Sequence, residues 1–330
     1  MAKIGIVTAV VTKPKTTIHQ SKPALAPKVG GKIKFPAPKK SEKSAKPAIQ
    51  ISFVLFIFWL IWNWKYTYFC VMQKSITFKK INISFTDEGK GTAIVLIHGF
   101  LENKTMWKNI TPVLTKKNRV IAIDLLGHGK TDCLGYVHSL TLFSEAIEAV
   151  LKHLKLRRFY IIGHSLGGYV ALKLADRHPL KIKGLCLLNS TSNEDDDDRK
   201  ALRKRANKMV QHNFENLVRM SFVNLFTEDS RNKYKNEINI ALAEALKTPV
   251  QGYIAANDGM RLRENQNHVL ANNSFKKLII AGKKDPVLDF SKSLKEAILT
   301  NSEIKLLING HMSHIEDSQE LLELLKEFVK

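Results

Sequence analysis

Phe159-Tyr-Ile-Ile-Gly163-His164-Ser165-Leu166-Gly167-Gly168 is an apolar run that ends in Gly-x-Ser-x-Gly and passes at once into a helix-compatible segment, Leu166 to His178. A serine at a strand-to-helix junction is lifted out on a tight, strained turn. Glycine is required at 163 and 167 because a side chain at either place would collide with the neighbouring strand or helix. Ser165 itself is expected at positive φ, which costs energy and persists where it is used. A glycine-rich turn that merely contains a serine has the same local pattern, so the surrounding chain has to decide between the two.

Upstream and downstream, short apolar runs alternate with amphipathic ones. Ile76 to Phe85 reads as two short strands and Asp87 to Gly91 as a turn. Ala93 to Ile97, Arg119 to Ile123 and Gly184 to Leu188 are continuous apolar runs, as strands covered on both faces require. A helix is expected over about 104–116. Another carries Phe143, Ile147, Val150, Leu151 and Leu154 on one face. Strands alternating with helices call for a parallel sheet with helices on both sides. Useful groups gather at the carboxyl ends of such strands. His98, Asp124 and Ser165 all stand there.

From Asn189 to about Lys276 the rhythm breaks into a mostly helical insert. Met209, Phe214, Met220, Phe222, Phe226, Tyr253 and Met260 are expected on its inner side, where they either pack on the core or form a lid over a substrate pocket. Its acidic opening, Glu194 to Asp198, suits a solvated helix start better than a calcium site. The alternation resumes with strand 277–281, a helix ending near Leu299, strand 303–308 and a closing amphipathic helix.

A serine hydroxyl needs a base within hydrogen-bond reach and a third group to orient that base. In chain order the candidates are Ser165, Asp285 and His311, each just after a strand. Asp285 precedes Pro286, which stiffens its turn; Asp289 is the weaker rival. His311 follows Gly310, which permits a sharp turn; His314 is its rival and belongs to the start of the final helix. Backbone N–H groups of Leu166 and Phe100 are the candidates for holding an oxyanion. His98 reads as a loop organiser, and His164 as a residue packed beside the elbow.

With these pieces in order, the chain resembles the esterase-like serine hydrolases of the α/β-hydrolase fold. The resemblance rests on His98-Gly-Phe-Leu101, Asp124-Leu-Leu-Gly-His-Gly129, Gly163-His-Ser-Leu-Gly-Gly168, Gly282-Lys-Lys-Asp285 and Gly310-His311. It covers about residues 75–330. It implies a mostly parallel sheet of the eight-strand type, a core over 73–190 and 277–330, and a helical cap over 191–276. It also implies chemistry without metal or cofactor on a small-molecule acyl ester. A C–C hydrolase, a cofactor-free perhydrolase and a non-catalytic ligand receptor on the same fold stay open. Leu126 stands where many relatives carry proline.

Composition bounds the remainder. The 330 residues are 44% hydrophobic and carry a formal net charge of +22, of which residues 1–50, with eleven lysines and Glu42 as the sole acid, supply +10. Residues 1–47 are rich in Lys, Pro, Ala and Ser and are expected to be disordered. Phe35 aside, this tail lacks the aromatic residues that base stacking requires, so nucleic acid is not an expected partner. Residues 48–72 form a hydrophobic segment. Pro47 to Trp64 is eighteen uncharged residues, about 27 Å of helix and the lower edge of a bilayer span. As an anchor it would leave the tail in the cytoplasm and the catalytic part outside. A chain starting at Met72 would be cytoplasmic. Cys70, Cys133 and Cys186 offer neither a disulfide framework nor zinc-ligand spacing.

Overall fold

The computed structural model describes residues 73–330. The tail, the hydrophobic segment and Cys70 lie outside the described residues, and so do the expectations placed on them. Among the described residues no helix is long and apolar enough to cross a membrane.

Eight strands form one sheet in the order β1-β2-β4-β3-β5-β6-β7-β8. They are β1 (Lys74–Phe78), β2 (Ile81–Gly89), β3 (Thr92–Ile97), β4 (Asn118–Ile123), β5 (Phe159–His164), β6 (Ile182–Leu188), β7 (Lys276–Gly282) and β8 (Glu303–Leu307). The β1–β2 and β2–β4 pairs are antiparallel; the other pairs are parallel. The expected turn at Asp87 is instead part of β2. Asp87 sits against β4, where its carboxylate takes Arg119 Nε at 2.7 Å and Lys74 Nζ at 2.8 Å. Pairing across the sheet outweighs the turn propensity of the local sequence.

The strand period of two sorts side chains between two cores. In β3, Val95 and Ile97 join the core beneath α2 (Leu140–His153) and α3 (Leu166–Arg177), with Ala297 of α9 (Phe290–Thr300). Ile94 and Leu96 face the opposite core, with Trp107, Ile110, and Leu321, Leu325 and Phe328 of α11 (Ser318–Phe328). Fully burying each such side chain contributes about 1.5–3 kcal/mol. The single helix expected over 104–116 is instead a 3-10 turn, Lys104–Asn109, followed by α1 (Thr111–Leu114). Pro112 in the first turn of α1 has no N–H with which to continue a preceding helix.

Between β6 and β7 the chain forms α4 (Asp197–Val223), α5 (Glu228–Lys233), α6 (Lys235–Ala245), α7 (Val250–Arg261) and α8 (Asn267–Ala271). Helix α4 breaks at Asn213 (φ −148°, ψ 55°). Phe222, Phe226 and Tyr253 fill a third core with Leu101 and Met312, which come from the loops at the strand ends. Met260 packs into the α2–α3 core. Met209 and Met220, expected inside, are 51% and 68% exposed. The kink at Asn213 rotates the two halves of α4 out of a common face. The acidic opening also departs from expectation. Asp196 caps α4, but Asp195 is buried between Arg203 (2.5 Å) and Arg263 (2.7 Å). Two guanidinium groups, Arg203 in α4 and Arg263 just beyond α7, offset the desolvation that would otherwise keep this carboxylate in water.

Candidate active site

Ser165 lies between β5 and α3 with φ 49° and ψ −116°. A strained non-glycine backbone costs on the order of 1–3 kcal/mol and persists only where its surroundings over-determine it. Here three hydrogen bonds do so. Ser165 N donates to Leu188 O at 3.0 Å, and Gly168 N donates to Ser165 O at 2.9 Å. Ser190 Oγ donates to the same carbonyl at 2.7 Å. The turn is also crowded. A Cβ on Gly163 would strike the backbone of Gly167, and one on Gly167 would strike Ile97 O and His98 O. Both glycines are therefore demanded by close approach.

The three sequence candidates meet at the carboxyl ends of β5, β7 and β8. His311 Nε2 lies 3.0 Å from Ser165 Oγ, and His311 Nδ1 lies 2.8 Å from Asp285 Oδ2. His311 and Asp285 side chains are 4% and 1% exposed, so this line of contacts is shielded from competing water. Asp285 accepts four donors. Val287 N (2.8 Å) and Leu288 N (3.0 Å) reach Oδ1; His311 Nδ1 and Asn189 Nδ2 (3.1 Å) reach Oδ2. Burial alone would raise the Asp285 pKa, but the charge and hydrogen bond of His311 and the two backbone donors lower it. Asp289, the rival, caps α9 by accepting from Ser291 N at 2.9 Å. His314, the other rival, is buried in α10 (Ser313–Glu316), 3.7 Å from Glu102 Oε1.

His98 organises its loop. Its Nδ1 is 2.7 Å from Gly99 O and its Nε2 accepts from Leu125 N at 2.9 Å. Burial pushes its pKa below the ordinary value, which suits the neutral ring this pattern needs. The Phe100 ring packs edge-on to Tyr253 at 4.8 Å, and Leu166 N is the first N–H of α3. Asp124 is buried and holds Lys104 (Nζ at 2.5 Å, backbone N at 2.8 Å) and Lys130 N (3.0 Å), so its work is in the loops.

Sequence reasoning missed three contributors. Asn189, at the end of β6 with φ 43°, ties Asp285 to Gly310 O (3.2 Å) and accepts from Ser313 Oγ (2.7 Å). Its place just beyond a strand was the only available signal. Ser190 anchors the elbow carbonyl. Glu102 accepts from Gly99 N and lies against His164 Nδ1, both at 2.6 Å, while His164 Nε2 faces His311 O at 2.9 Å. Both ring nitrogens of His164 thus face acceptors, which calls for an imidazolium paired with a carboxylate. Burial pulls His164 down, but the Glu102 charge outweighs it and raises the pKa. Burial would raise Glu102, but His164 holds it down to about 2. Glu102, His164 and His314 bring ligand-capable atoms within 4.8 Å of one another. Both ring nitrogens of His164 are engaged, by Glu102 Oε2 and His311 O, whereas Glu102 Oε1 and His314 Nδ1 have no hydrogen-bond partner.

Beside Ser165 and His311 is a cavity of about 310 Å³ whose apolar wall includes Phe100, Leu202, Phe222, Leu225 and Met260.

The chain belongs to the alpha/beta hydrolase fold family, whose family model matches residues 92–318. An uncharacterized Mycobacterium tuberculosis protein is 37% identical over 107 residues, 32% of this chain and 31% of that protein. The 3-oxoadipate enol-lactonase 1 of Acinetobacter baylyi is 24% identical over 76% of this chain and 94% of its own length. A thermophilic esterase from Thermogutta terrifontis has the same fold, with a TM-score of 0.73 at 24% identity over 78% of this chain and 100% of that one.

Proposed function

We propose that this protein is a serine hydrolase that cleaves a carboxylic ester, with a thioester or lactone as related substrates, through an acyl-enzyme. The observation that carries this reading is the unbroken line of hydrogen bonds from Asp285 through His311 to Ser165, at 2.8 and 3.0 Å. Asp285 fixes the proton of His311 on Nδ1, which leaves Nε2 free to accept the proton of Ser165 Oγ. The oxygen then attacks the substrate carbonyl carbon. The N–H groups of Leu166 and Phe100 receive the developing oxyanion; one such donor is worth about 3 kcal/mol of barrier. His311 passes its proton to the leaving oxygen. Water, activated by the same ring, then frees the acid and restores Ser165. The helical insert over 191–276 acts as a cap, supplying Leu202, Phe222 and Met260 to the cavity wall. The enol-lactonase relative and the esterase neighbour are consistent with acyl transfer on this scaffold.

The test is fluorophosphonate labelling of the wild type and of Ser165→Ala, together with turnover of p-nitrophenyl butyrate. Labelling and turnover are expected for the wild type and for neither in the variant. A wild type that takes no label, or a variant that keeps it, overturns the reading.

A further inference from the structure

The charges around the Ser165 cavity are unequally matched. Glu102, the single acid in its wall, is paired with His164 at 2.6 Å. Arg203, also in the wall, is paired with Asp195 at 2.5 Å and donates from Nη1 to Asn257 Oδ1 at 3.0 Å. That same buried carboxylate also serves Arg263, at 2.7 Å. Arg199 stands one helical turn before Arg203 on α4 and lines the cavity too. Among the described residues it forms no ion pair. Of the acids that precede it, Asp196 caps the helix and accepts from Arg199 backbone N at 2.9 Å, and Asp197 and Asp198 in the first turn make no ion pair with its guanidinium.

What Arg199 does have is one neutral contact. Its Nη2 donates to Val287 O at 2.8 Å. Val287 belongs to the turn after Asp285, and its own N–H donates to Asp285 Oδ1 at 2.8 Å. The guanidinium is thus fixed to the turn that carries the proposed orienting carboxylate. A guanidinium has five N–H donors in a rigid fork suited to a planar anion. On its other side Arg199 borders a second cavity whose wall holds Glu194, Asp289 and Glu296, yet none of them pairs with it among the described residues. A partly buried, positioned guanidinium with no ion pair of its own, in a wall where the other charged groups are already paired, is a site for a planar anion.

We infer that Arg199 is an anion subsite of this cavity, and that the preferred ester carries a carboxylate set apart from the bond that is cleaved. The inference rests on the ester-hydrolase reading above and adds the substrate class to it. The carboxylate pairs with the free face of the guanidinium while the chain that joins it to the ester lies along Leu202 and Val287. Ser165 and His311 act on the ester carbonyl as before, and no proton passes through Arg199.

The test compares two acyl esters of similar size on the full-length protein, p-nitrophenyl butyrate and p-nitrophenyl hemiglutarate. The expected ratio of kcat/KM, anionic over neutral, is about 10- to 100-fold in the wild type, the range for a hydrogen bond to a charged group. It should shrink as salt is raised. In Arg199→Gln the ratio should fall to near one, and Arg199→Lys should restore part of it. A second arm, carboxymethyl butyrate against ethyl butyrate, places the carboxylate on the alcohol side and tells which half of the ester is read. Turnover of the neutral esters with no preference in either wild-type arm overturns the subsite alone. A preference that survives in Arg199→Gln does the same. Absence of turnover and of fluorophosphonate labelling overturns both readings. The wild-type arms stand even if the variants fold poorly.

Discussion

Replacing Asp285 by asparagine changes one atom of the proposed site, and the structure says what must follow. The carboxylate of Asp285 accepts four donors, two on each oxygen. Two of them, Val287 N and Leu288 N, are backbone groups in a tight turn, and neither can reverse its polarity. In Asp285→Asn the amide oxygen must therefore stay with them, which turns the NH2 toward His311 Nδ1. That nitrogen then has to accept, so the ring proton moves to Nε2, the atom 3.0 Å from Ser165 Oγ. A protonated Nε2 cannot take the serine proton. The loss for this wrong tautomer is about 10⁴-fold in kcat, or about 5 kcal/mol of barrier. Turnover of p-nitrophenyl butyrate and the rate of fluorophosphonate labelling should fall together, while the circular dichroism spectrum and thermal midpoint stay near those of the wild type. A folded variant within tenfold of the wild-type kcat would refute the assignment of Asp285 and, with it, the argument from donor accounting.

Removing Glu102 leaves the His164 cation and Gly99 N buried without their acceptor. Glu102→Ala should lose about 3–5 kcal/mol of unfolding free energy, read by urea denaturation; a loss below about 1 kcal/mol would show that the pair is not charged. Stability should also fall in mild acid. Burial lowers His128 to about 3 and His314 to about 4, from 6.5. The unfolded chain therefore binds more protons between those values, and stability present above pH 6.5 is lost as the pH drops. The loss is about 2 kcal/mol per histidine at pH 5. A thermal midpoint that stays flat from pH 7.5 to 5 would contradict it, and His314→Gln should reduce the slope.

The tight Gly-x-Ser-x-Gly turn and the strand–helix alternation were readable along the chain because their causes are local. Gly163 and Gly167 mark a turn too tight for side chains. Ala93 to Ile97 is apolar throughout because both faces of β3 are covered. The order Ser165, Asp285, His311 was readable for the same reason, since each lies one short turn beyond an apolar run. Local rules failed where partners distant in sequence decide. Asp87 became part of a strand through Arg119, and Asp195 became buried through Arg203 and Arg263. Met209 and Met220 were turned outward by the break at Asn213, which no glycine or proline announces.

By itself, then, the sequence determined the fold class and the three side chains proposed to do the chemistry, because spacing and turn geometry act over a few residues. Only the tertiary structure decided how those side chains are held and what they face. Glu102 carries no local signal and Asn189 only its place just beyond a strand, yet one charges His164 and the other fixes Asp285. Arg199 is one of five basic residues between Arg199 and Arg205. That it forms no ion pair among the described residues is a property of three-dimensional neighbours, since a charge is matched or unmatched only by what the fold brings within a few ångströms of it.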